Sequence, residues 1–403
     1  MIKTYSLLIV ALLFVGTASA EDWRQFRGND ANGVAKGGTP PAAVDDSTLG
    51  WRVDLPGRGL ASPIVIGDKV VVSASSGGAQ ERLHVLCFNV ADGKLQWERQ
   101  FWATGRTVSH PKTSVAAPTP CSDGERIFAF FSSNDVVCLD LDGQLQWFRG
   151  LTWDYPNSSN SLGMSSSPVV VGKTLVCMAE CDDDSFSVGL NVVDGTERWK
   201  LAGPRKANWT SPAIWRGEKS EGDRVLLQSS KGVVAVEPMT GKVEWSYEEG
   251  ASTIPSLVCS KGLAFVPSNG ITAIRPSESH PEVPELVWRQ GPLSPGTASP
   301  VVTGDSIYVI NRSGAMTCAS REDGERRWQL RLTGAFSGTP VIAGDLMYVA
   351  NEEGVVQVIR LGATEGTVLT THELKETVLS TPAIAGKNLF IRSENALWMF
   401  TSK

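Results

Sequence analysis

The chain has 403 residues, a net charge of −6 and a pI near 5.4, and an acidic chain of this kind is no general nucleic-acid binder, which needs a basic face for phosphates. Hydrophobic residues at 41% and charged residues at 20% exclude a disordered chain. Forty Gly and 22 Pro point to many turns and few long helices.

Residues 1–20 read as a secretory signal. Lys3 supplies the positive start, the apolar run Leu7 to Val15 is too short to span a bilayer, and Ala18-Ser19-Ala20 has the small-x-small form of a cleavage site. Cleavage after Ala20 leaves Glu21 first; an uncleaved anchor is the alternative. No Cys follows the small residues, so no lipid anchor is indicated. The expectation is a monomeric, periplasmic or secreted protein without a membrane anchor. Residues 21–49 form an N-terminal extension that opens on Trp23-Arg24-Gln25-Phe26-Arg27-Gly28, with Gly33 beyond.

From residue 50 to 403, three signals recur in fixed order. A Pro followed by small and β-branched residues stands at Pro63, Pro120, Pro168, Pro212, Pro255, Pro300, Pro340 and Pro382. A Gly-Asp or Gly-Lys turn and a β-rich run come next. A strand ending in Asp-Gly or Thr-Gly closes the unit, with a Trp shortly after, at Trp51, Trp97, Trp147, Trp199, Trp245, Trp288 and Trp328. The eighth Trp is replaced, at about Val368, and the fifth unit exchanges the Gly turn for a longer loop from Pro276 to Pro284.

Each unit holds four short strands. In the seventh these are residues 338–343, 346–350, 354–359 and the segment near 367–371. Such a sheet cannot bury both faces alone, so units must stack and the ring must close. The strand Gly50 to Leu55 precedes the first Pro, and the chain stops after the strand Ala396 to Thr401. The predicted fold is therefore an all-β, eight-bladed β-propeller of four-stranded antiparallel blades, closed by the N-terminal strand D pairing with the C-terminal blade. The seven Trp read as structural docking residues that fill the wide outer wedge between blades.

Seven Cys in an exported chain is an odd number. Cys87 and Cys318 lie ten residues before a repeat Trp and Cys138 nine, where other units have Ala235 and Gly189, so this site wants small volume. Cys177 and Cys181 either pair across a hairpin or fill core. No Cys-x-x-Cys-His attaches a haem.

The unit x-Ala/Cys-Leu-Asp-x-x-x-Gly-x-x-x-Trp resembles the tryptophan-docking repeat of pyrroloquinoline quinone (PQQ) dehydrogenases and their non-enzymatic relatives. The opening around Trp23 to Gly28 resembles the leader of secreted PQQ-like repeat proteins of planctomycete type. Size and blade count are similar to those of the propeller lipoprotein of outer-membrane assembly, although the lipid-bearing Cys is missing. The dehydrogenase resemblance implies a quinone above the ring axis, a Ca²⁺, a catalytic Asp and a vicinal Cys-Cys pair. No adjacent Cys exist here, and the chain is shorter than the large dehydrogenases, so no catalytic residue carries over.

Other chemistry is thin. His84, His110, His280 and His372 show no ligand spacing. The acidic run Glu180-Cys181-Asp182-Asp183-Asp184, on the B–C loop of blade three, reads either as a Ca²⁺ loop or as a solvated turn. What remains is the rim shared by the D–A and B–C loops. Its longest loops, residues 101–118, 151–167 and 203–211, bring Trp102, Arg106, His110, Trp153, Tyr155, Arg205 and Trp209. Aromatics and Arg anchor protein interfaces, and long loops in a compact domain are functional or flexible; loop tips packing on neighbouring blades are the alternative. The first reading is thus a non-catalytic scaffold for a protein or peptide, with no cofactor. The alternative is a PQQ-dependent alcohol or sugar dehydrogenase using Ca²⁺ at an atypical site, and carbohydrate binding by Trp102, Trp153 and Trp209 is a third.

Overall fold

The computed structural model describes residues 21–159, 161–217 and 222–402. The expected secretory signal, residues 1–20, lies outside them. Eight antiparallel sheets stand around one axis. Blades one to seven span residues 64–102, 121–150, 169–202, 213–247, 258–290, 301–331 and 341–373, each with its strands A to D in sequence order. Blade eight joins Ala383–Ala385, Asn388–Arg392 and Ala396–Thr401 to the N-terminal strand Leu49–Asp54, which pairs antiparallel with Ala396–Thr401 as strand D. The ring is therefore closed by hydrogen bonds between the two ends of the chain.

The Trp repeat is an interblade clasp. In six of the seven, the indole N–H donates to a carbonyl beside the C–D turn of the next blade: Trp51 to Val90 at 2.9 Å, Trp97 to Leu141 at 3.1 Å and Trp199 to Pro238 at 2.8 Å. Trp147, Trp288 and Trp328 do the same to Val192, Arg321 and Gly362. The turn Gly has a second purpose besides its positive φ. A Cβ on Gly143 would stand 2.6 Å from Trp97, and one on Gly241 2.5 Å from Trp199. The Gly thus belongs to the previous blade's Trp as much as to its own turn.

Six of the seven Trp also face a small residue across strands C and D: Cys87 on Trp97, Cys138 on Trp147, Gly189 on Trp199, Ala235 on Trp245, Ala273 on Trp288 and Cys318 on Trp328, whereas Trp51 of the closing blade faces Met399. That pairing explains the mixture of Cys, Ala and Gly at this position. All seven Cys are free thiols, so Cys177 and Cys181 are core residues and not a bridge. Burial raises the Cys87 and Cys138 thiols to about 12, which keeps them protonated and unreactive.

Two register details differ from the sequence reading. Blade seven pairs Val358 with Thr370 across its bulge, so the missing eighth Trp is replaced by Thr370 and not Val368. Blade eight has no C–D turn, because its strands C and D are the two chain ends; a Trp there would have no turn to clasp. Thr370 instead accepts the backbone N–H of Val44 from the extension. In blade five the Pro signal is displaced by two residues, as the ring position below makes plain.

The extension, residues 21–48, threads the axis on the side opposite the long loops. Trp23 bridges Val65 on strand A of blade one, Val34–Ala35 runs parallel to Val341–Ala343 of blade seven, and the Thr39 N–H donates to the Gly386 carbonyl of blade eight. It plugs the channel.

Candidate functional site

On the loop side the channel is lined by a closed ring of hydroxyls. The N–H of Ser62 donates to Thr119, Thr119 to Ser167, Ser167 to Ser211, and Ser211 to Ser256, all at 2.9–3.0 Å. Ser256 donates to Ser299, Ser299 to Thr339, Thr339 to Thr381, and Thr381 back to Ser62, at 2.9–3.3 Å. Seven of these residues sit just before the repeat Pro. In blade five Ser256 follows Pro255, so Leu257 holds the place where the other units have Pro. Its carbonyl accepts from the buried Arg27 of the plug at 2.9 Å.

All eight hydroxyls line an axial cavity of about 390 Å³ with Phe26 of the plug also in its wall. The next tier, two residues earlier in each blade, includes Leu60, Trp209, Ile254 and Leu379. His110, Lys112 and Glu352 also line it, with Lys112 Nζ 2.7 Å from Glu352 Oε2. This cup does not fit a calcium-bound quinone. Its ring offers neutral hydroxyls, and Glu352, the one carboxylate among the described lining residues, is tied to Lys112. No group of three or more His, Cys, Asp or Glu with metal-holding geometry exists among the described residues.

The seven rim residues fall in four places. Trp209 and His110 line the axial cavity, and the Trp209 indole N–H donates to the Gly163 carbonyl at 2.8 Å. Tyr155 packs between blades two and three: its ring lies 4.5 Å from Phe186, its hydroxyl donates to Glu197 at 2.5 Å, and Lys200 Nζ stands 3.7 Å from its centroid. Trp102 and Trp153 project from adjacent blades and are 63% and 81% exposed. Trp102 ends strand D of blade one, with the Arg82 guanidinium 5.1 Å from its ring centroid. Trp153 lies in the short helix Leu151–Asp154 that follows strand D of blade two. Arg106 and Arg205 are exposed on their loops.

The acidic run is not one cluster. Glu180 is buried, and its Oε2 accepts from Asn208 Nδ2 at 2.8 Å; Asp182 accepts the Ala207 N–H at 3.1 Å. Burial pushes the Glu180 carboxyl up to about 7 against the lowering effect of the Asn208 hydrogen bond. The sequence shows the run of acids but not which one the fold buries.

The sequence profile described as outer membrane protein assembly factor BamB matches residues 34–180, 150–275 and 283–369. The chain belongs to this family of PQQ-like β-propellers. No curated protein sequence matches it. Among solved structures it is similar to BamB from Moraxella catarrhalis, at TM-score 0.62 and 16% identity, over 88% of this chain and 98% of that one. It is also similar to a europium-containing methanol dehydrogenase, at TM-score 0.68 and 12% identity, over 94% and 98% of the two chains. A quinohemoprotein alcohol dehydrogenase from Comamonas testosteroni matches at TM-score 0.65 and 11% identity, over 94% of this chain and 80% of that one. At such identities the likeness is one of fold. Among the described residues no helix is long and apolar enough to cross a membrane.

Proposed function

We propose that this BamB-family propeller is an exported, monomeric scaffold that holds a protein or peptide partner on its loop-rich rim, without catalysis and without a cofactor. The observation that carries the reading is the pair Trp102 and Trp153. The repeat Trp are buried or half-buried in the wedges between blades, whereas these two stand 63% and 81% exposed on neighbouring blades of one rim. Solvent-exposed indoles on a soluble surface favour burial against a partner, and Trp is among the residues that dominate interface energies. Arg82 beside Trp102, and Arg106 exposed on the loop that follows, add the other common anchor type. A family described as an assembly factor for outer membrane proteins is compatible with a protein partner. Export rests on the residues 1–20 and their cleavage site.

A photo-reactive amino acid placed at Trp153 or Trp102 tests the reading in cells. It should give a discrete crosslinked adduct, while the same probe at Val283, 59% exposed on the opposite rim, should give none. Equal adducts from both rims, or none from Trp102 and Trp153, would contradict it.

A further inference from the structure

Blades three and four enclose a groove of about 650 Å³ with Glu180 in its wall. We infer that this groove is a binding site for a primary alkylammonium group, such as a lysine side chain of a partner polypeptide, with the Glu180 carboxylate as its counter-ion. The inference goes beyond the rim reading, because neither Trp102 nor Trp153 lines this groove.

Glu180 is 4% exposed, yet among the described residues no cation pairs with it. Oε2 is held by Asn208; Oε1 has no hydrogen-bond partner among the described residues. Buried carboxylates are normally paired, because desolvating an isolated charge is expensive. The geometry around Oε1 is prepared. Gly203, also in the groove wall, would place a Cβ 3.1 Å from Oε1, so a bare glycine leaves that oxygen room. Asn208 is fixed in turn: its Nδ2 also donates to the Gln228 carbonyl at 2.7 Å, and its Oδ1 accepts from Thr210. The carboxyl is therefore aimed and not merely buried.

The rest of the wall suits a short alkyl stem that ends in N–H donors. Leu201, Pro204, Leu227 and Val234 supply apolar surface, and the hydroxyls of Ser187 and Ser229 supply acceptors. The other charged groups lining the groove are Lys231 and Glu248 of blade four. Asp182, Asp183 and Asp184 lie on the loop of Glu180 itself, and Arg205 and Lys206 lie on the loop that carries Asn208. None of them is ion-paired with Glu180. A ligand ammonium would meet a buried carboxylate that lacks a cation and that, unlike Asp135, whose two oxygens accept from Thr104 and Ser133, keeps one oxygen open.

Calorimetric titration of the mature protein with n-butylamine, n-butanol, and the peptides acetyl-Gly-Lys-Gly-amide and acetyl-Gly-norleucine-Gly-amide tests this. The amine and the lysine peptide should bind, and the neutral isosteres should not. Glu180→Gln keeps the acceptor for Asn208 and should weaken amine binding by about tenfold or more. In the unaltered protein, affinity should rise with pH through about 7, as Glu180 ionises, and hold until the amine itself deprotonates. The Trp102→Ala/Trp153→Ala variant should bind the amine unchanged, which separates failure here from failure of the rim reading. Equal binding of n-butanol, unweakened binding to Glu180→Gln, or no pH dependence would overturn the site. Binding of n-butylamine with exclusion of the lysine peptide would overturn the polypeptide source.

Discussion

The backbone N–H of Thr381 donates to the hydroxyl of Ser62 at 3.0 Å across 319 residues of sequence. This bond is the last link of the hydroxyl ring, and it joins blade eight to blade one at the axis. The strand pairing of Leu49–Asp54 with Ala396–Thr401 closes the same circle at the outer edge of blade eight. Ser62→Ala leaves a buried N–H without a partner, at a cost of about 1–3 kcal/mol. The urea unfolding midpoint of Ser62→Ala should fall accordingly, and that of Ser62→Thr should stay near the parent value. An unshifted midpoint for the alanine variant would mean that the link is dispensable.

Removing the segment through Leu55 takes away strand D of blade eight, the Trp51 clasp and the axial plug together. An exposed strand edge and an unfilled wedge result, which destabilises the array by several kcal/mol on the order of a large-to-small core change. The truncated protein should elute as aggregate and show no cooperative melt by circular dichroism. A monomer with the parent melting temperature would show that the ring closes without its N-terminus.

Much of this was legible in the sequence, because a wedge-shaped sheet repeated around an axis imposes the same small set of volumes on every unit. The Trp spacing, the Gly turns and the spare N-terminal strand followed from that. What escaped was whatever departs from the repeat. Leu257 takes the Pro position of blade five because Ser256, not the Pro, is what the ring requires. Thr370 replaces the eighth Trp because blade eight has no turn to receive an indole. The residues 21–48 read as an extension, since nothing local in Trp23, Phe26 or Gly33 reports the distant strands that hold them. The rim residues read as one set because loop membership is visible in sequence, whereas the burial of Tyr155 against Phe186 depends on the next blade.

Glu180 should make stability fall as pH rises. Its folded value, about 7, lies above the ordinary 4.5, so the folded state holds the proton more tightly than the unfolded chain. The penalty is absent below the ordinary value, grows between the two and is complete above 7. Glu180→Gln cannot ionise. It should melt close to the parent protein at pH 5 and above it at pH 8, by roughly 1–3 kcal/mol. A variant that is equally or less stable at pH 8 would show that the carboxylate is compensated in the fold.

The axial cup should refuse a quinone. Its eight Ser and Thr hydroxyls and the Lys112–Glu352 pair offer no carboxylate set for calcium. Calorimetry with PQQ and Ca²⁺ should give no saturable heat, and dye-linked oxidation of alcohols and sugars should be absent. Micromolar binding with turnover would make the protein an oxidoreductase.

The proposal that the rim of Trp102 and Trp153 holds a partner is tested most directly by the double variant Trp102→Ala/Trp153→Ala, read for capture and for melting in parallel. Both side chains are largely exposed, so their loss should leave the melting temperature within the range of surface substitutions, about 0.5 kcal/mol. The clasp variant Trp199→Ala, made alongside, should lose about 3–5 kcal/mol. Affinity capture from cells, compared band by band with the parent protein, should then lose its specific partner in the double variant. Full capture by the double variant, or a large fall in its melting temperature, would contradict a binding rim and make these two indoles part of the scaffold.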